Sequence, residues 1–96
     1  MEYKPKHAQP FTYAQAHRFE TPTITEEITR LENSLFHLNR TQVELNAHLT
    51  GSPEEDRELL EAITENEAVI GSQTERISML KLVLEERGIT ANSEHY

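Results

Sequence analysis

The chain has 96 residues, no cysteine, and seventeen Asp and Glu against nine Lys and Arg, for a formal net charge of −8. That length admits one small domain, and the missing thiols exclude disulfides, thiolate zinc sites and cysteine nucleophiles. The charge sets the chain against nucleic-acid phosphates and anionic membranes, and no apolar run suits a membrane span or a leader, so a cytoplasmic or nuclear location is expected, with neither nucleic acid nor membrane as partner.

Residues 1–22 are expected to be irregular. They hold Pro5, Pro10 and Pro22, which argue against a long helix, together with four aromatics, Tyr3, Phe11, Tyr13 and Phe19. A short helix fits within 11–19. Two readings of this head stand side by side: a frayed tail, or a segment docked on the body or on a partner.

The body, 23–88, reads as two heptad helices. Thr23 with Glu26 forms a capping box after Pro22, predicting a helix over 24–50. Its seam is Ile24, Ile28, Leu31, Leu35, Leu38, Gln42, Leu45 and Leu49. Gly51 can close it in the left-handed conformation, leaving a turn at 51–52. Ser52, Pro53 and Glu55 then give a second start, predicting a helix over 53–87. The second seam is Leu59, Ile63, Asn66, Ile70, Gln73, Ile77, Leu80 and Leu84, and residues 89–96 are expected to fray. The fold class is therefore all-α: an antiparallel two-helix hairpin, or coiled coil, with an irregular N-terminal segment.

Three features of this hairpin bear on function. The second helix overruns the first, and its overhang carries Met79, Leu80, Leu82, Val83 and Leu84; Phe11, Tyr13 and Phe19 are the natural cover, and without them the overhang is a binding surface. Phe36 and Val43 on one helix, and Leu60, Val69 and Val83 on the other, widen each apolar stripe beyond what a single partner helix covers. That implies a further helix, from a second copy or another protein. Finally, Gln42, Asn66 and Gln73 occupy seam positions where Leu would be more stable, as register-fixing polar residues or as a hydrated layer.

Catalytic chemistry is not indicated. His37 and His48 share a helix face about 16 Å apart, too far for one metal, and Glu44 with His48 reads as a solvated pair. Three glycines build no phosphate loop, and a hairpin offers no deep pocket. No catalytic, cofactor-binding or metal-ligating residue is expected. Glu54, Glu55, Asp56, Glu58, Glu61, Glu65 and Glu67 have only Arg57 among them. The first turn of that run suits the helix dipole; the rest suits solubility, or selection of a basic partner.

The stretch Glu32-Asn33-Ser34-Leu35-Phe36-His37-Leu38-Asn39-Arg40, with Glu65-Asn66-Glu67 and Glu75-Arg76, resembles the fungal family of stress-responsive, ATPase-dedicated assembly chaperones for the proteasome regulatory particle, also described as translation-machinery-associated. The likeness spans roughly residues 24–87. It implies a non-catalytic chaperone that binds the N-terminal coiled-coil region of one base ATPase subunit and promotes its pairing with a neighbour. Family members can carry a longer acidic segment between the helices, which is short here. The motif residues Phe36, His37, Asn39, Arg40, Glu65, Glu67 and Arg76 become candidate partner contacts, and the wide stripes and overhang add Val43, Val69, Met79, Leu82 and Val83. The alternative is a homodimeric coiled-coil adaptor, four helices in the assembled bundle.

Overall fold

A computed structural model describes residues 3–89. Among them are three helices, α1 (Tyr13–Ala16), α2 (Thr21–Ala47) and α3 (Arg57–Glu86), and no strand. The two long helices pack together and dominate a body measuring 51 × 32 × 16 Å.

Three of the four long-helix boundaries depart from the spacing-based expectation, each for a local reason. α2 starts at Thr21 rather than 24, with Glu20 as an N-cap that makes no side-chain cap bond. Pro22 lies inside the first turn, where its missing N–H is one the helix would leave unpaired anyway, so the proline starts the helix instead of preceding it. α2 stops at Ala47 rather than 50, and α3 starts at Arg57 rather than 53. Pro53, Glu54, Glu55 and Asp56 form a turn closed by the Asp56 N–H donating to the Ser52 carbonyl at 2.9 Å. The connection therefore spans 48–56 and is longer than the expected two-residue turn.

Asp56 explains that connection. Its carboxylate accepts from the Thr50 N–H at 2.9 Å, the Thr50 hydroxyl at 2.9 Å and the Gly51 N–H at 2.9 Å. Those donors leave α2 to reach it, and Gly51 supplies the positive φ of 93° that the bend needs. Asp56 is 4 % exposed, a buried carboxylate with its oxygens fully engaged. Led by the Thr50 N–H, these donors hold its carboxyl below the ordinary value against the opposing effect of burial.

The far end of α3 closes in a Schellman arrangement. Gly88 takes φ 78°, and the Ile89 N–H donates to the Leu84 carbonyl at 2.9 Å. Ile89 packs against the core, so the tail expected to fray from 89 begins with an anchored residue; the rest of that tail lies outside the described residues.

The register between α2 and α3 is set by cross-links. Arg87 meets Thr21 at 3.0 Å, Lys81 meets Glu32 at 3.8 Å, and Gln42 meets the Ile63 carbonyl at 3.0 Å. As position rises along α2, its partner position falls along α3. The core lies at the pole where α2 begins: Ile24, Ile28 and Leu31 interlock with Ile77, Met79, Leu80, Val83 and Leu84, under Tyr13 and Ala16 of α1. Each fully buried aliphatic side chain there contributes about 1.5–3 kcal/mol.

The head is more ordered than an irregular segment. Thr12 and Gln15 exchange a complete capping box around α1, Tyr3 stacks on Tyr13 at 5.4 Å, and Phe11 meets Phe19 edge-on at 5.1 Å. Its first residues are tied to α3. Glu75 accepts from the backbone N–H of Lys6 at 2.6 Å and of His7 at 2.8 Å, and from Gln9 at 3.2 Å. Those bonds, the Lys6 N–H foremost, hold the Glu75 carboxyl below its ordinary value. The His7 ring lies over Gly71, where a Cβ would stand 2.8 Å from its Cε1. Arg87 completes the attachment by donating to the carbonyls of His17 at 2.8 Å and Phe19 at 2.7 Å.

Candidate protein-binding surface

The molecule is three layers deep at the head pole and two layers deep at the loop pole. Burial follows. Between 35 and 70 the only buried seam residue is Ile63, while Leu35, Leu38, Leu45, Leu49, Leu59 and Ile70 are half-buried. The loop half is aligned by polar contacts: Gln42 Nε2 on the Ile63 carbonyl, and Asn66 Nδ2 on Gln42 Oε1 at 3.1 Å. Two of the three polar seam residues thus pair with the opposite helix. The third, Gln73, keeps its Oε1 buried without a partner.

Each residue advances about 100° around its helix axis. On that count Phe36, Asn39 and Val43 of α2, with Leu60 and Glu67 of α3, lie on the side of the pair that carries the Glu32–Lys81 bridge. The opposite side carries Val69, Glu65 and Arg76 of α3 with Glu27 of α2. Phe11 and Phe19 of the head sit on this second side, lining a hollow with Thr23, Glu27 and Arg30. These two sides are the bridge face and the head face.

Apolar exposure concentrates on the bridge face. Phe36 is 59 % exposed, Val43 70 % and Leu60 42 %, whereas Val69, 43 % exposed, stands apart on the head face. Phe36 and Val43 are about 10 Å apart along α2. With Gln42 level with Ile63, Leu60 lies one turn nearer the loop, level with Leu45 and beside Val43. The Phe36 ring meets that of its neighbour His37 edge-on, with ring centroids 5.5 Å apart. Leu60 lies in a shallow hollow with Pro53, Arg57, Glu61, Thr64 and Glu65. An exposed aromatic and two aliphatics on one face offer desolvation energy to whatever covers them.

The structure divides the sequence-derived contacts. Phe36, Asn39, Val43 and Glu67 come together on the bridge face. His37 and Arg40 point outward from the back of α2, and Glu65 and Val69 lie on the head face; all four are exposed. Met79 and Val83 are 0 % exposed, and Leu82 is half-buried against the same core, because the docked head covers the overhang. As partner contacts Met79 and Val83 are corrected to interior residues, and Leu82 to a half-buried residue packed against that core. Arg76 is engaged within the chain too, donating to Gln9 Oε1 at 2.7 Å and Ser72 Oγ at 3.3 Å.

Four residues outside that candidate set organise the surface and its support: Leu60, Gly71, Glu75 and Arg87. Leu60 was visible in the wide apolar stripe. Gly71 carried a signal as an isolated glycine inside a helix. Glu75 and Arg87 bind backbone groups, which leave no side-chain signature.

Among the described residues no cluster of three metal-ligating side chains occurs, and no helix is long and apolar enough to cross a membrane. The family model described as the TMA17 helical domain matches residues 9–91, taking in α1, both long helices and most of the head. No curated protein and no solved structure matches the chain.

Proposed function

The chain belongs to the TMA17 helical-domain family, and from that membership and the uncovered bridge face we propose that it is a non-catalytic assembly chaperone. Its working form is an antiparallel helical hairpin, a reading supported by the falling α3 partner numbers along α2. Its partner is the N-terminal coiled-coil region of a proteasomal base ATPase subunit, met in the cytoplasm or nucleus and released after that subunit has paired. The observation that carries this reading is the exposure of Phe36, Val43 and Leu60 on a half of the molecule that lacks a third layer. A helix from a partner supplies that layer, as α1 does at the other pole.

The test uses the purified chain and separately purified N-terminal regions of the base ATPases, titrated by calorimetry. Selective binding to one of them, weakened by Phe36→Glu while helicity by circular dichroism stays nearly intact, is the expected result. Failure to bind any of them refutes the ATPase assignment. Unchanged affinity in Phe36→Glu removes Phe36 from the interface. A concentration-dependent dimer in sedimentation, with no ATPase bound, moves the homodimeric adaptor to first place.

A further inference from the structure

We propose that the bridge face takes one amphipathic helix whose apolar stripe is flanked by Lys or Arg, seated along Phe36, Val43 and Leu60. This rests on the protein-binding reading above but not on the identity of the ATPase.

Charge complementarity selects the occupant. The net charge of −8 falls heavily on residues 54–67, the end of the connection and the first turns of α3, where Glu54, Glu55, Glu58, Glu61, Glu65 and Glu67 are all exposed. None of these six takes part in an ion pair among the described residues, where the pairs are His17–Glu86, Glu27–Arg30 and Glu32–Lys81. Glu61 lines the hollow around Leu60 with Arg57, Glu65 stands on its head-face side, and Glu67 stands two turns along the stripe from Leu60. On its α3 side the apolar strip is thus bordered by two unpaired carboxylates, Glu61 and Glu67, against one cation, Arg57. A basic-flanked helix gains attraction along that border, and an acidic one is repelled. A second copy of this chain would set these same acids against like charge.

The shape fits one helix. Phe36 to the level of Leu60 spans about 14 Å, so about three turns of a partner cover the strip, reading it with residues spaced one and two turns apart. Leu35, Leu38 and Leu45, half-buried beside the strip, become the floor of the contact.

The experiment uses two synthetic helical peptides of about 20 residues with the same leucine stripe, one flanked by Lys and one by Glu. Binding to the intact chain is followed by fluorescence anisotropy at low and at moderate salt. The Lys peptide is expected to bind at least about ten-fold more tightly than the Glu peptide, with a difference that shrinks as salt rises. The double variant Phe36→Gln/Val43→Gln is expected to lose about ten-fold in affinity for the Lys peptide, and Val69→Gln, on the head face, to lose none. Equal binding of both peptides, or a loss in Val69→Gln that the double variant does not share, overturns the proposal. So does a dimer of the intact chain that the double variant dissociates, since a second copy would then own the face. An ATPase region that binds regardless of the double variant refutes this surface and leaves the assembly role standing. A Lys peptide that binds the strip when no ATPase region binds does the reverse.

Discussion

Gly71 sits in the middle of a 30-residue helix, where glycine costs about 1 kcal/mol relative to alanine. On propensity alone Gly71→Ala should stabilise the protein by that amount. A Cβ at 71, however, would stand 2.8 Å from His7 Cε1 and 3.0 Å from Nε2, against an ordinary contact of about 3.5–4.0 Å. The ring must therefore retreat by roughly 1 Å. Its own backbone resists, because the His7 N–H is held on Glu75 at 2.8 Å. Rotating the ring away forfeits its packing on α3; withdrawing the segment forfeits the Glu75 bonds. Either loss is of the order of 1 kcal/mol, so Gly71→Ala alone should leave stability near its starting value. In a His7→Ala background the obstruction is gone, and the same substitution should yield the full ~1 kcal/mol, a rise of about 4–8 °C in Tm for a domain of this size. A double-mutant cycle by thermal denaturation measures the coupling directly. Amide exchange adds a local readout: Lys6 and His7 should exchange faster in Gly71→Ala. Equal Tm increments in both backgrounds, with exchange unchanged, would refute the placement of the ring over Gly71.

Two further outcomes follow from the buried groups. The Asp56 carboxyl is held below its ordinary 3.8, so the stability it contributes is present above pH ~4 and is lost as pH falls through the depressed folded value. Asp56→Asn should therefore lower stability at pH 7 and flatten the acid limb of a urea-denaturation series between pH 7 and 3; an unchanged limb would remove Asp56 as its source. Leu80, 0 % exposed, should cost about 2–5 kcal/mol on truncation to alanine, and Val43, 70 % exposed, within about 0.5 kcal/mol, by chemical denaturation. Similar costs at both sites would contradict the concentration of the core at the head pole.

The heptad spacing made the two long helices and most of the seam legible, because burial against a facing helix imposes the 3–4 period directly on the residue types. The ends were not, since two capping signatures competed with alternatives that spacing does not weigh. Thr23 with Glu26 was a good local cap, but Pro22 lost nothing by entering the first turn. Ser52 with Glu55 was another, but Asp56 gained three donors by drawing Thr50 and Gly51 into the loop. Apolar exposure was legible where it rested on the helical stripe, as at Phe36 and Val43. It was misread at Met79, Leu82 and Val83, because whether the aromatic head covers the overhang depends on Glu75 and Arg87 reaching main-chain groups.

The Gln42–Asn66 pair acts as a dowel in a joint that has little glue. Leucine seams are tolerant of sliding, since one leucine replaces another after a shift of a heptad. Were α2 to slip along α3, the Gln42 amide would leave the Ile63 carbonyl and Asn66 together, stranding polar groups inside the seam at about 1–3 kcal/mol each. The weakly buried loop half is thereby pinned to a single alignment, and Phe36, Val43 and Leu60 keep fixed mutual spacing. A helix docking there as proposed would meet a template already set.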